Sequence, residues 1–218
     1  MVRNFNTVIF DMDGTLVDSM GIWEDIDREF FKERNMPYPK DLTKNIAGLS
    51  MTETADYFLD NFDIKETRQE LIDIWNEMAM EDYATKIPLR DGAMDFLKYL
   101  KKNGYKTALA TSNSRELVEA CFESHGLNDY ISVIVASGEV PHGKPAPDVF
   151  LKAASLLDSD PKDCIVFEDV LQGIQAGKSA GMKVCCVDDK YSKDDYEAKK
   201  ELADYYINNY YDLDVVMA

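Results

Sequence analysis

Val8-Ile9-Phe10-Asp11-Met12-Asp13-Gly14-Thr15 is the stretch on which the reading of this chain turns. Residues 7–10 form a short apolar run rich in β-branched side chains, the pattern of a buried strand. The run stops abruptly at Asp11, and a second carboxylate follows at Asp13. Open parallel sheets place their ligand crevice beyond the carboxyl ends of the strands, so both acids are candidate site residues. Gly14 permits a tight backbone turn beside a ligand. The same letters have an ordinary reading too, because Asp-Gly is a frequent turn. The rest of the chain has to choose between them.

Comparable apolar runs recur at residues 106–110, 131–136, 164–167 and 183–187. Helical patterns separate most of them. One starts after Asp91, carries Phe96, Leu97 and Leu100, and stops near Gly104. Another starts near Ser114 and stops near Gly126. A third opens at Pro147, a good first-turn residue. Strands alternating with helices at this spacing predict a parallel sheet covered on both faces. Residues 19–86 break the alternation. Ile22, Trp23, Ile26 and Phe30 recur at helical spacing, as do Leu71, Ile74, Trp75 and Met78. Ser50-Met51-Thr52-Glu53 has the form of a capping box. The expected organisation is an α/β core of residues 1–17 and 88–218 with a helical insertion at 18–87. The acidic stretch 188–201 reads as a solvated loop and helix.

Three further strand ends carry polar chemistry. Ala110-Thr111-Ser112-Asn113-Ser114 places hydroxyls before a helix, and hydroxyl donors beside a helix N-terminus suit a phosphate group. Ser114 also fits a plain helix cap. In Gly143-Lys144-Pro145-Ala146-Pro147-Asp148, Pro145 keeps Lys144 out of helical geometry. A lysine fixed in a rigid turn offers phosphate a point charge. Phe167-Glu168-Asp169 ends another apolar strand with two acids. Adjacent buried carboxylates repel unless a cation lies between them, and hard oxygen ligands near phosphate favour Mg²⁺. The helix after them carries Gly173, Ala176, Gly177 and Ala180, small residues that allow close packing on the sheet.

Taken in chain order, these four strand ends resemble the four motifs of the haloacid dehalogenase-like superfamily. FDMDGTL is similar to the first motif, LATS to the second, GKPAPD to the third and FEDVLQGIQAGKSAG to the fourth. The resemblance runs from Val8 to Val187. It implies a Rossmann-like parallel-sheet core with an inserted α-helical cap, of the phosphatase and β-phosphoglucomutase-like branch. It also implies roles. Asp11 would attack phosphorus and form an aspartyl-phosphate. Asp13 would act as general acid and then as base. Gly14, Thr111, Ser112, Asn113 and Lys144 would bind the phosphate. Asp11, Asp13 (through its backbone carbonyl), Glu168 and Asp169 would hold Mg²⁺. Gly48, Ser50 and Met51 correspond to the substrate-specificity loop of the cap, with hinges at 16–19 and 86–90.

Departures from the pattern narrow the reaction. β-Phosphoglucomutase-like enzymes place a histidine where this chain has Trp23, and an arginine where it has Met51. Hydrolysis of a small phosphate monoester, a sugar phosphate or nucleoside monophosphate, is therefore expected ahead of a mutase. Asp13 and the full phosphate and metal set argue against a dehalogenase. A non-catalytic phosphometabolite-binding protein would have no need of Asp11, Asp13, Thr111, Lys144 and Asp169 together.

Composition bounds the partners. The 218 residues are 45% hydrophobic, enough for one globular core with a small second domain. A formal net charge of -17 disfavours nucleic acid and anionic membrane surfaces. Acids interrupt the opening MVRNFNTVIFDMD before a signal-peptide apolar segment could form. No run approaches the roughly 18 apolar residues of a membrane span. The four cysteines form no Cys-x-x-Cys pair, and His125 and His142 complete no zinc pattern. Buried reduced thiols in a cytoplasmic protein are expected. Its partner would be a small phosphorylated metabolite, and its state a monomer or weak dimer.

Overall fold

The computed structural model describes residues 5–213 and Val216. Its strands are β1 (Thr7–Phe10), β2 (Lys106–Ala110), β3 (Val133–Val135), β4 (Cys164–Glu168), β5 (Lys183–Val187) and β6 (Tyr205–Ile207). They pair in parallel in the order β3-β2-β1-β4-β5-β6. The chain builds outward from β1 through β2 to β3, then crosses back to lay β4 on the other side of β1. That reversal makes the ends of β1 and β4 the switch point where such sheets bind ligands. Phe10 is in register with both Leu109 and Phe167. Asp11, Thr111 and Glu168 therefore emerge at nearly the same level.

The strand alternation feeds two cores. Val8 and Phe10 face one, with Phe96, Leu97, Leu100, Leu117, Val118 and Phe167. Ile9 faces the other, with Val149, Phe150, Val166 and Ile174. Burial on both faces is why these strands read as unbroken apolar runs.

Between β1 and β2 lie α1 (Met20–Glu33), α2 (Leu42–Ile46), α3 (Met51–Asn61) and α4 (Arg68–Thr85), followed by α5 (Ala93–Lys102). The capping box at the start of α3 forms as its sequence predicts, and α4 carries a second at Thr67 and Glu70. Phe30, Phe31, Phe58 and Trp75 knit these helices together, with Phe58 and Trp75 centroids 4.9 Å apart. Such edge-to-face pairs add about 0.5–1.5 kcal/mol each beyond area burial. The two segments that enter and leave the helical block run side by side. Asp18 N–H donates to Pro88 O at 3.0 Å, and Arg90 N–H to Leu16 O at 2.9 Å.

After β2 come α6 (Arg115–His125), α7 (Asp148–Leu156), α8 (Leu171–Ser179) and α9 (Tyr196–Leu202). Two features depart from the sequence reading. The three-residue strand β6 extends the sheet, too short to stand out as a pattern. The stretch 188–201 is only partly solvated. Asp189 is buried against Arg90 at 2.8 Å, and Lys199 is fully buried on α9. Both charged side chains reach inward to partners that local composition does not reveal. All four cysteines are buried free thiols, and burial raises the pKa of each. Among the described residues no helix is long and apolar enough to cross a membrane.

Candidate active site

Asp11 leaves the end of β1 with its N–H bonded to Phe167 O at 3.0 Å, one residue past the ladder. Lys144 meets it from the loop before α7, where the Lys144–Pro145 peptide is cis. Its Nζ donates to Asp11 Oδ1 at 2.6 Å and to Glu168 Oε1 at 2.6 Å. The Val170 N–H donates to the other Glu168 oxygen at 2.7 Å. The exposures of Asp11, Lys144 and Glu168 are 6%, 3% and 0%. At that burial an unpaired charge would be strongly destabilising, so the three groups depend on one another. Burial drives the Asp11 carboxyl up to about 7, against the pull of Lys144 and with the push of Glu168 and Asp13. For Lys144, burial favours the neutral amine, but the two carboxylates outweigh it and hold the ammonium above its ordinary range.

Asp169, the next residue, has a different environment. Thr15 Oγ1 donates to its Oδ1 at 2.9 Å. Its Oδ2 is buried and without a hydrogen-bond partner. Burial, then Glu168 and Asp11, push its pKa well above the carboxylate range. Gly14, at φ 76°, makes room for it: a Cβ there would stand 2.3 Å from Asp169 Oδ2. A buried carboxylate oxygen with no donor, beside a second carboxylate, fits a hard divalent cation. Among the described residues no three acid, histidine or cysteine side chains form a ready cage. Mg²⁺ requires none, since it keeps several waters and takes one or two carboxylates plus substrate phosphate.

Asp13 turns away from this cluster, toward the helical block. Ser19 Oγ donates to its Oδ1 at 2.6 Å, and Asn113 Nδ2 to its Oδ2 at 2.9 Å. The Tyr83 hydroxyl also donates to Oδ1. Thr111 ends β2 with its Oγ1 accepting from Asn113 N–H at 3.1 Å. Ser114 caps α6 and donates to Asn76 of α4.

The expected specificity loop lies against the core. Ser112 Oγ donates to Gly48 O at 3.2 Å. Met51 N–H is 3.2 Å from Ser112 O and 3.0 Å from Ser137 Oγ. Glu53 accepts from Gly143 N–H at 3.2 Å, next to Lys144. Ser50 spends its hydroxyl on the capping box, and the Met51 side chain packs into the apolar core.

Several residues of this constellation escaped the sequence reading: Thr15, Ser19, Tyr83 and Lys199. Lys199 Nζ donates to the backbone O of Asp169 at 2.9 Å and to Ser192 Oγ at 2.7 Å, which braces the end of β4 from behind. Tyr83 lay in view as the continuation of the stripe Leu71, Trp75, Ala79 along α4. Its hydroxyl, at the end of that buried stripe nearest the core, was the available signal.

A parallel sheet with paired acids and a lysine at its switch point, roofed by a helical insertion, defines a phosphate-handling α/β enzyme class. The family model for haloacid dehalogenase-like hydrolases matches residues 8–187, and the chain belongs to that family. It is 35% identical over 185 residues to a bifunctional riboflavin kinase/FMN phosphatase of Arabidopsis thaliana, covering 83% of this chain but only 48% of that one. The chain thus spans about half the length of that relative. It is 30% identical to a phosphorylated carbohydrates phosphatase of Thermotoga maritima, with 81% and 82% covered. Among solved structures, CbbY of Rhodobacter sphaeroides superposes with a TM-score of 0.85 over 96% of each chain at 24% identity, a likeness of fold.

Proposed function

We propose that this protein is a Mg²⁺-dependent phosphatase that hydrolyses a small phosphate monoester, a sugar phosphate or nucleoside monophosphate, through a phosphorylated Asp11. The observation that carries this reading is the division of labour between Asp11, clamped by Lys144 at 2.6 Å, and Asp13, turned toward the space under the helical block. Residues 1–17 and 88–218 form the catalytic core in this reading, and 18–87 a cap that shields the reacting groups from bulk water.

An Asp11 oxygen attacks phosphorus as the bond to the ester oxygen breaks. The leaving oxygen takes a proton from Asp13. A water then gives its proton to Asp13 and attacks the phosphorus, releasing inorganic phosphate and restoring Asp11. Lys144, Thr111 and the Ser112 N–H meet the phosphoryl oxygens, and Gly14 lets the backbone approach them. Asn113, whose N–H is on Thr111 Oγ1 and whose amide is on Asp13, Tyr83 and Ser114, shapes that loop from behind. The carboxylates of Asp11 and Asp169 and the carbonyl of Asp13 would hold Mg²⁺, which supplies charge neutralisation to the phosphoryl group. Glu168 has both oxygens on protein donors, so its part is to hold Lys144, with any contact to the metal made through water.

A mutase needs a group to activate a second sugar hydroxyl. Trp23, at the position where mutases carry histidine, instead donates its Nε1 proton to Tyr83 at 2.9 Å. The four buried thiols support a reducing, cytoplasmic setting.

Phosphate release from a panel of sugar phosphates and nucleoside monophosphates tests the reading. Asp11→Asn lowers release about 10³-fold or more, and chelation of Mg²⁺ abolishes it. Asp11-dependent interconversion of phosphosugars without phosphate release would overturn the reading in favour of a mutase.

A further inference from the structure

The Tyr83 hydroxyl lies at the meeting point of the helical block and the core, and its hydrogen-bond directions are forced. A phenol has one proton to give and two lone pairs. Trp23 Nε1, which can only donate, takes one lone pair at 2.9 Å. Asn113 Nδ2 takes the other at 2.9 Å. The orientation of that amide is set in turn, because Asn113 Oδ1 accepts from Ser114 N–H at 2.7 Å. With both lone pairs used, the Tyr83 proton goes to Asp13 Oδ1, the acceptor it meets, while the neighbouring Ser19 hydroxyl gives its own proton to the same oxygen. Tyr83 is fully buried, and burial followed by the Asp13 charge pushes its pKa well above that of a free phenol, so it stays a donor.

Tyr83 belongs to α4 and Trp23 to α1, both in the helical block, whereas Asp13 and Asn113 belong to the core. The bond exists only while the two parts are together. We propose that Tyr83, aimed by Trp23, is a positioning residue for Asp13: closure of the helical block brings the phenol onto Oδ1 and turns the carboxyl group so that Oδ2, held on one lone pair by Asn113 Nδ2 at 2.9 Å, presents its other side to the leaving-group oxygen. The inference rests on the phosphatase reading above, with Asp13 as its proton donor. Ser19, on the segment entering the block, holds the same oxygen at 2.6 Å, so loss of the phenol loosens Asp13 without freeing it.

Leaving-group dependence is the discriminating readout. The value of kcat/KM includes the step in which the ester oxygen departs. An alkyl leaving group needs the proton of Asp13; p-nitrophenolate departs without it. Tyr83→Phe keeps the ring and its packing but loses the donor. The expected result is a fall in kcat/KM of about 10-fold or more for the best alkyl phosphate, within the range of general-acid effects. The loss for p-nitrophenyl phosphate should be under about 3-fold, with the KM for each substrate little changed. Trp23→Phe should give the same pattern at smaller size, which guards against a folding defect peculiar to one variant. Equal losses on both substrates would mark Tyr83 as a packing residue and overturn the proposal, as would full activity on both. A wild-type protein inactive on every ester would instead sink the phosphatase reading itself.

Discussion

β1 and β4 end alike in the sequence, each an apolar strand running into two acids, yet the structure gives the two pairs different work. At β1 the acids are separated by Met12, whose side chain is fully buried. Asp11 therefore stays in the cluster with Lys144 while Asp13 swings out to hydroxyl and amide donors from both halves of the molecule. At β4 the acids are adjacent. Glu168 takes the lysine and the Val170 N–H, and Asp169 keeps one buried oxygen without a donor. In the proposed mechanism, one intervening residue separates a pair that divides nucleophile from proton carrier and a pair that organises positive charge. The acids in such strand ends take their partners from where the backbone aims each side chain, not from acidity alone.

The largest effect should come from exchanging the chemistry of the two ends. Asp13→Asn should lower kcat/KM for an alkyl phosphate by about 10²- to 10⁴-fold and leave Mg²⁺ affinity unchanged, because Asp13 would offer the metal a backbone carbonyl. Asp169→Asn should do the reverse at first contact, weakening Mg²⁺ about 10-fold or more in a calorimetric titration. Equal metal affinities in the two variants would erase the distinction between the ends.

Lys144 is the bridge between them. Lys144→Met leaves Asp11 and Glu168 buried without their cation, and the expected loss of unfolding free energy is about 3–5 kcal/mol. Denaturant titration near neutral pH reads it directly. A loss below about 1 kcal/mol, the scale of an exposed pair, would show that water reaches the cluster.

The last effect sharpens the comparison from outside the site. Asp27, on α1, is buried at 8% exposure, and burial with Glu24 nearby pushes its pKa from 3.8 to about 7. The folded protein then binds more protons than the unfolded chain between those values, so stability falls as pH rises from about 4 to about 7. Asp27→Asn should remove that fall: stabilising by about 4 kcal/mol at pH 8 and neutral at pH 4. Thermal or denaturant midpoints at the two pH values measure it. A pH-independent difference would mean that Asp27 has a compensating cation, as Asp11 does.

Much of the core was legible before folding. Strand β1, the two-acid endings, the hydroxyls after Ala110 and Lys144 before a proline all sit in runs of a few residues, where burial on both faces leaves an apolar mark and loop polarity stands out against it. The four capping and stop positions Ser50, Ser114, Gly104 and Gly126 were visible for the same reason, since cap chemistry is local. Sequence displays the charge of Glu168, the basis for expecting it at the metal, and not the Lys144 and Val170 donors on its oxygens. Strand β6 was too short to show a period, and the inward-facing Asp189 and Lys199 were hidden in an acidic stretch.

Sequence alone was enough for the sheet, the helical insertion and the acids, hydroxyls and lysine at the strand ends, because those depend on periodicity and on neighbours close along the chain. Only the tertiary structure decided the partners. Tyr83 meets Asp13 across 70 residues, Lys144 meets Asp11 across 133, and Lys199 braces Asp169 across 30. Such contacts form when the parallel strands bring their ends to one level and the helical block is laid over them. Hydrogen bonds and charge pairs act over a few ångströms of space, and the order of residues along a chain does not record that distance.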